Sequence, residues 1–302
     1  MFTLRRLCAL LYLSTLSICV CAGPDSQYQV QQIKDNVYRF TSGKYHSAFM
    51  ITKSGAFVTD PIDSQSALYL KRYIKENFDV PVTYMAYSHN HIDHTAGGDN
   101  LTTENTTVIA HKDAARNIIN TQLPTAYPTL TFTDELMVEL ADSRVRLKYY
   151  GRNNGYGSVS MRFEPANVLF VVDWITLNRL PYKNLKGYDI EGMITSTKAV
   201  LQEPEFDIFI GGHADTGNRK DVENYLAYLQ ALYTGVNTQM RKGNNLQSIQ
   251  KSLQLSQFNH LKMFDEWREL NIEGVYNTLI DMSYYDMRQD IPSTDQSKTE
   301  SN

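Results

Sequence analysis

His89, His91, Asp93 and His94, in the run Ser88-His-Asn-His-Ile-Asp-His94, put four side chains of metal-binding type within six residues. The chain has seven histidines in all, so three in so short a span are poorly explained as scattered polar loop residues. Imidazole nitrogen and carboxylate oxygen hold Zn²⁺, and iron and manganese accept the same donors. A metal held this way lowers the pKa of bound water towards about 7 and polarises a carbonyl or phosphoryl oxygen. The chemistry open to the cluster is therefore hydrolysis by a metal-bound hydroxide, with no need of a serine or cysteine nucleophile. Asp93 is the residue expected to bind metal and to orient or deprotonate the attacking water.

The run before the cluster, Val82 to Tyr87, is β-branched, aromatic and apolar, and predicts a buried strand with the cluster at its C-terminal end. Side chains two apart on extended backbone point the same way, so His89 and His91 are expected on one ion. Asp93 and His94 follow where Ala96-Gly97-Gly98 lets the chain turn towards a helix, which suits a second, adjacent ion. Short strands are predicted at Tyr28 to Ile33, Val37 to Thr41, Ala48 to Thr52 and Ala56 to Thr59, then at Val108 to Ala110, Leu136 to Leu140, Val145 to Tyr150, Ser158 to Phe163, Val168 to Val172 and Ile208 to Ile210. Helices are predicted at Ser64 to Asn77, His111 to Ile119 and Ile190 to Leu201. After His213 the pattern turns helical, at Asp221 to Arg241, Leu246 to Leu253, His260 to Glu269 and Gly274 to Met287. That segment is expected to cover the mouth of the site or to make a homodimer contact.

The histidine run also resembles the His-x-His-x-Asp-His signature of the metallo-β-lactamase-fold hydrolases, down to the Gly97-Gly98 that follows, and the likeness extends over most of residues 28 to 217. The resemblance implies an α/β fold, an αββα sandwich, here with a C-terminal helical extension. It implies that Asp173, closing the apolar run Val168 to Val172, bridges two metals, and that His213, after Phe209-Ile-Gly-Gly, completes the second site. Asp60, ending Ala56-Phe-Val-Thr, matches an aspartate that hydrogen-bonds a ligand from behind, although it also suits a turn before Pro61. The chain departs from the family where Gly-x-x-His-x-x-Gly is expected and Gly151-Arg-Asn-Asn154-Gly-Tyr-Gly157 stands. Asn154 occupies the histidine's place, and a neutral amide oxygen is a weak zinc donor, so one ion is expected to bind tightly and a second weakly. Tyr156, beside that position, and His46, in a loop before a strand, are candidates to touch substrate; His111 is read as capping or packing a helix. β-Lactamases of this superfamily usually carry cysteine or serine near Asp173, so the resemblance points to an ester, thioester, lactone or phosphoester, as in hydroxyacylglutathione hydrolase. The alternatives are weak β-lactamase activity and a non-catalytic metal- or ligand-binding protein on a decayed hydrolase scaffold.

A net charge of -4, with no basic cluster beyond the N-terminus, argues against nucleic acid and leaves a small-molecule substrate as the expected partner. The N-terminus itself, Arg5-Arg6 followed by an apolar run to Cys21 and small residues around Ala22, reads as a secretory signal peptide cut after Ala22. The run is short for a bilayer about 30 Å thick, so no stable membrane anchor is expected. All three cysteines, Cys8, Cys19 and Cys21, fall inside it, so the metals of the mature chain must be held by histidine and carboxylate. The expected layout is a signal peptide at 1–22, a metallo-β-lactamase-like domain at 27–217, a helical extension at 218–292 and a disordered tail at 293–302, in a secreted or periplasmic protein.

Overall fold

The computed structural model describes residues 27–284; the expected signal peptide at 1–22, with its cysteines, and the polar tail at 293–302 lie outside the described residues. Period-two patterning broken by Asp-Asn and Ser-Gly turns forms β1 (Tyr28–Lys34), β2 (Val37–Ser42), β3 (Tyr45–Thr52) and β4 (Gly55–Thr59), each antiparallel to the next. Helical crossovers then take over. α1 (Ser64–Phe78), started by Asp63 accepting the amides of Gln65 and Ser66, leads to β5 (Val82–Ala86). The short helices α2 (Ile92–Thr95) and α3 (Gly98–Leu101) lead to β6 (Thr107–His111), and α4 (Lys112–Asn120) to β7 (Leu130–Phe132). Crossovers return the chain to the same end of the sheet, so β4 to β7 run parallel and complete seven strands.

The second sheet holds β8 (Glu135–Leu140), β9 (Ser143–Tyr149), β10 (Val159–Glu164) and β11 (Val168–Val171), paired antiparallel, and after α5 (Ile190–Gln202) it gains β12 (Ile208–Gly211), parallel to β11. The helices α6 (Arg219–Arg241), α7 (Leu246–Ser252) and α8 (Phe264–Ser283) end the described chain. Strand alternation sorts the core into three layers. Met50 and Phe57 of the first sheet meet Val145, Leu147, Met161, Phe163 and Phe170 of the second. Their strand neighbours Phe49 and Val58 face the other way, onto Leu70, Ile74 and Ile118 of α1 and α4. Leu169 and Val171 likewise turn from the sheet interface towards Met193, Tyr228, Leu232 and Val275 of α5, α6 and α8. The result is the expected αββα sandwich, with a C-terminal helical region that shares the outer core of the second sheet.

Three expectations are corrected. β3 starts at Tyr45, not Ala48, so His46 is a strand residue rather than a loop residue. The three-residue β7 was not anticipated. The two helices expected at His260 to Glu269 and Gly274 to Met287 are joined in α8, which runs straight through Gly274. A Cβ at Gly274 would lie 2.3 Å from the carbonyl oxygen of Asn184, so this glycine serves close packing and not helix termination. Among the described residues no helix is long and apolar enough to cross a membrane.

Candidate metal centre

The site forms where β4, β5, β11 and β12 end. Asp60, just past β4 in the left-handed region at φ 28°, is fully buried and accepts the backbone N–H of Ser88 at 2.8 Å, which fixes the bend after β5. That bend and the start of α2, not an extended strand, bring His89 and His91 together. Ser88 Oγ lies 2.9 Å from His89 Nδ1 and leaves Nε2 directed at Asp173 Oδ2, 3.2 Å away. His91, at the N-cap position of α2, turns Nδ1 to within 3.3 Å of the same oxygen.

One turn into α2, His94 faces the other way. Its Nδ1 is 3.6 Å from Asp60 Oδ2 and its Nε2 is 2.8 Å from His213 Nε2, which is carried on the loop after β12. Asp93 Oδ2 stands 3.6 Å from His213 Nε2 and 4.0 Å from His94 Nε2. Asp173, at φ 65° just past β11, sends its second oxygen, Oδ1, to 3.1 Å from His213 Nε2 and 3.8 Å from His94 Nε2. Two donor groups result, His89 with His91 and Asp173, and Asp93 with His94 and His213. The two oxygens of Asp173 divide between them.

The donors have the character of ligands. His89 Nε2 is buried with no hydrogen bond despite its 3.2 Å approach to Asp173 Oδ2, and Asp60 Oδ2, His94 Nδ1 and Asn154 Oδ1 have no partner either. Such a concentration of unsatisfied buried polar atoms costs stability unless something else engages them. Burial lowers the His94 pKa far below its ordinary value, and burial with the neighbouring His91 lowers that of His89, so both rings are neutral, as metal ligands must be. Burial alone would raise the Asp173 carboxyl, but His213, His89 and His91 hold it well below the carboxylate range. Burial pushes the Asp60 carboxyl up to about 7, against the hydrogen bonds from Ser88 that lower it. With nitrogen and oxygen donors and no sulfur, the residues fit zinc, iron or manganese.

Asn154 is fully buried at the first donor group, with Nδ2 donating to Asp173 Oδ2 at 3.0 Å. Its loop is pressed onto the ligands. Gly155 lies so close that a Cβ would come within 2.8 Å of His91 Nε2, and Tyr156 N–H donates to Asn90 Oδ1 at 2.7 Å. In this orientation the amide meets the carboxylate through its NH₂, and its oxygen is left over.

A cavity of about 420 Å³ opens over the two groups, lined by His91, Asp93, Asp173 and His213 below and by Lys44, Tyr45, Arg179, Tyr182, Lys186 and Tyr188 on its walls. Tyr156 is half-exposed and outside this lining. His46 is outside it too: adjacent strand residues face opposite sides, so Tyr45 takes the inward place, its ring 5.1 Å from that of His213, while His46 Nδ1 pairs with Thr41 Oγ1 at 2.9 Å. His111 caps α4 by accepting the Asp113 N–H and stacks on Tyr149, as expected of it. Tyr45 was recoverable from strand periodicity. Arg179, Lys186 and Tyr188 were not, because the loop between Asp173 and α5 has no pattern to read.

Two groups of side chains that could each hold a metal ion thus lie at the strand ends of an αββα sandwich, with one carboxylate between them. Residues 42–213 match the Metallo-beta-lactamase superfamily, and the chain belongs to it. Among solved structures it is similar to a metallo-beta-lactamase from Pontibacter korlensis (20% identity, TM-score 0.61, covering 68% of this chain and 99% of that one). It is similar also to the DIM-1 metallo-beta-lactamase (20% identity, TM-score 0.59, 68% and 97%). Among curated proteins it is 24% identical over 215 residues to the 2,4-dinitroanisole O-demethylase subunit alpha of Nocardioides sp. (strain JS1661), a match covering 67% of this chain and 64% of that protein's length.

Proposed function

We propose that the protein is a secreted metal-dependent hydrolase of a small molecule, cleaving an ester, thioester, lactone or phosphoester bond, with zinc as the metal and iron or manganese as substitutes. The observation that carries this reading is Asp173, whose two oxygens address the two donor groups separately. His89, His91 and Asp173 would hold one ion, and Asp93, His94, His213 and Asp173 the other. Ions at these positions would supply Lewis acidity and a water of lowered pKa. Asp93, 40% exposed at the cavity floor, would hold the second ion through Oδ2 and offers its carboxylate to accept a proton beside it. Asp60 lies behind His94, its Oδ2 3.6 Å from Nδ1, on the side of the ring away from the site.

An aspartate at position 173 favours ester-like substrates over β-lactams. A second reading, cleavage of an aryl ether, is favoured by the name of the Nocardioides relative and by the three tyrosines on the cavity wall. The test is metal analysis of the purified protein, followed by turnover of a thioester, a lactone, a phosphodiester, a β-lactam and an aryl methyl ether with and without added zinc. Zinc-dependent cleavage of one of the first three is expected. A protein that retains no metal and turns over none of the panel would refute the proposal.

A further inference from the structure

Asn90 stands between the ligands His89 and His91 without joining either donor group or the lining of the cavity. Its Oδ1 accepts the Tyr156 N–H at 2.7 Å, and its Nδ2 donates to Asn117 Oδ1 at 2.7 Å. A backbone N–H can only donate, so the first bond fixes Oδ1 on the side of Tyr156 and leaves the NH₂ for α4. One half-buried side chain thus ties three parts of the molecule together: the histidine run, the 151–157 loop between β9 and β10, and α4.

The loop has a use for such a tie. The side chain it places at the first donor group, Asn154, meets Asp173 through its NH₂ and brings neither carboxylate nor imidazole. Its flanks are fixed elsewhere: Asn153 O accepts the Asp189 N–H at 2.7 Å, and the Val159 N–H donates to Ser88 O at 2.9 Å. Between those points lies Gly155, at φ 60°, where a Cβ would stand 2.6 Å from Asn90 Oδ1 and 2.8 Å from His91 Nε2. The glycine backbone therefore lies against Nε2 of His91, while Nδ1 of that ring points to Asp173 Oδ2, 3.3 Å away. Asn90 grips the very next residue, so its two bonds set how closely Gly155 sits on the ring. The far end of the clasp is firm, because Ala114, Ala115 and Ile118 bury α4 in the core.

We infer that Asn90 is a positioning residue for the first metal group: through the Tyr156 N–H it seats Gly155 over His91 and so selects Nδ1 as the nitrogen which that ring gives to an ion. This rests on reading His89, His91 and Asp173 as metal ligands, and not on the reaction they serve. Two substitutions test it. Asn90→Ala removes both bonds, whereas Asn90→Asp keeps the oxygen that Tyr156 needs, and the Asn117 amide can turn its NH₂ towards the other oxygen. In metal-free protein the Tyr156 amide should exchange with solvent about tenfold faster in Asn90→Ala than in the wild type, and within about twofold of the wild type in Asn90→Asp.

The NMR-active isotope of cadmium, added to protein carrying heavy-nitrogen histidine, reads the ring directly, because the metal–nitrogen coupling shows which nitrogen holds the ion. The wild type and Asn90→Asp should show His91 bound through Nδ1. Asn90→Ala should hold that ion about tenfold more weakly, with the Nδ1 coupling lost or shared with Nε2, and leave the group of Asp93, His94 and His213 unchanged. Asn117→Ala, which does not touch the histidine run, should move both readouts in the same direction and serves if Asn90→Ala does not fold. A Tyr156 amide that exchanges equally in all variants overturns the clasp, whether or not cadmium binds. Faster exchange with His91 still bound through Nδ1 at full affinity overturns its control of the ring. Wild-type protein that takes up no cadmium, its Tyr156 amide still protected through Asn90, refutes the metal reading and the positioning role with it.

Discussion

Asn271 sits fully buried in α8, far along the chain from any ligand, yet it holds the wall of the cavity. Its Nδ2 donates to the carbonyls of Pro181 (3.0 Å) and Lys183 (2.6 Å), and its Oδ1 accepts the hydroxyl of Tyr228 on α6 (2.7 Å). Asn271→Leu keeps the volume and removes all three bonds. The Tyr228 hydroxyl is then buried without a partner, at a cost of about 1–3 kcal/mol, and the Pro181 carbonyl adds about 1 kcal/mol, while the Lys183 carbonyl can turn to water. The expected loss is roughly 2–4 kcal/mol, or a fall in Tm on the order of 4–12 °C for a protein of this size. Guanidinium unfolding followed by far-UV circular dichroism measures the first and scanning calorimetry the second. Because the 181–183 backbone lies between Arg179 and Lys186, KM for the preferred substrate should rise more than kcat falls. Tyr228→Phe in the Asn271→Leu background should cost less than Tyr228→Phe alone, since the hydroxyl it removes has already lost its acceptor. A loss under about 1 kcal/mol, with additive single and double variants and an unchanged KM, would refute the argument that this buried amide ties the C-terminal helices to the site.

Purified protein should retain about one ion per chain after mild chelation, because Asn154 gives the first group only an amide; two equally tight ions by elemental analysis would show the amide to be an effective donor. Asn154→His should tighten the weaker ion in a zinc titration, and unchanged affinity would remove Asn154 from the metal site. Asp93→Asn should fold normally and lose at least about 100-fold in kcat, as expected for removal of the group that takes the water's proton, and near-normal turnover would sink that assignment. Glu203 tests the pH dependence of stability. Burial alone would raise its carboxyl, but Lys148 and Arg146 hold it below its ordinary value of 4.5, so its contribution is complete above about that pH and is lost as pH falls through the depressed folded value. Allowing for solvent screening of its partners, Glu203→Gln should cost about 1–2 kcal/mol at pH 7 and less at pH 3, as urea unfolding at the two pH values would show.

His89, His91, Asp93 and His94 were legible because ligand chemistry needs particular residue types and those types are rare. Asp173 and His213 became legible as polar ends to apolar strands in the family's order. The layers were legible as well: Phe49 against Met50 and Phe57 against Val58 alternate in sequence as they do across the sheet, since a strand's two faces are decided by parity alone. Parity fails where the start of a strand is misjudged, and three residues at the head of β3 exchanged the roles of Tyr45 and His46. A glycine is ambiguous in the same way, because a helix break and a close approach both require a missing Cβ, and only the carbonyl of Asn184 beside Gly274 decides between them. The sequence by itself determined which side chains gather as candidate donors, the sandwich, and the departure at Asn154. The tertiary structure alone decided how Asp173 divides its oxygens, which way Asn154 presents its amide, and that Asn271 and Tyr228 meet behind the loop that carries Arg179. Those are contacts between residues tens of positions apart, with no periodicity to announce them, and they exist only once the helices of the C-terminal region have packed against the second sheet.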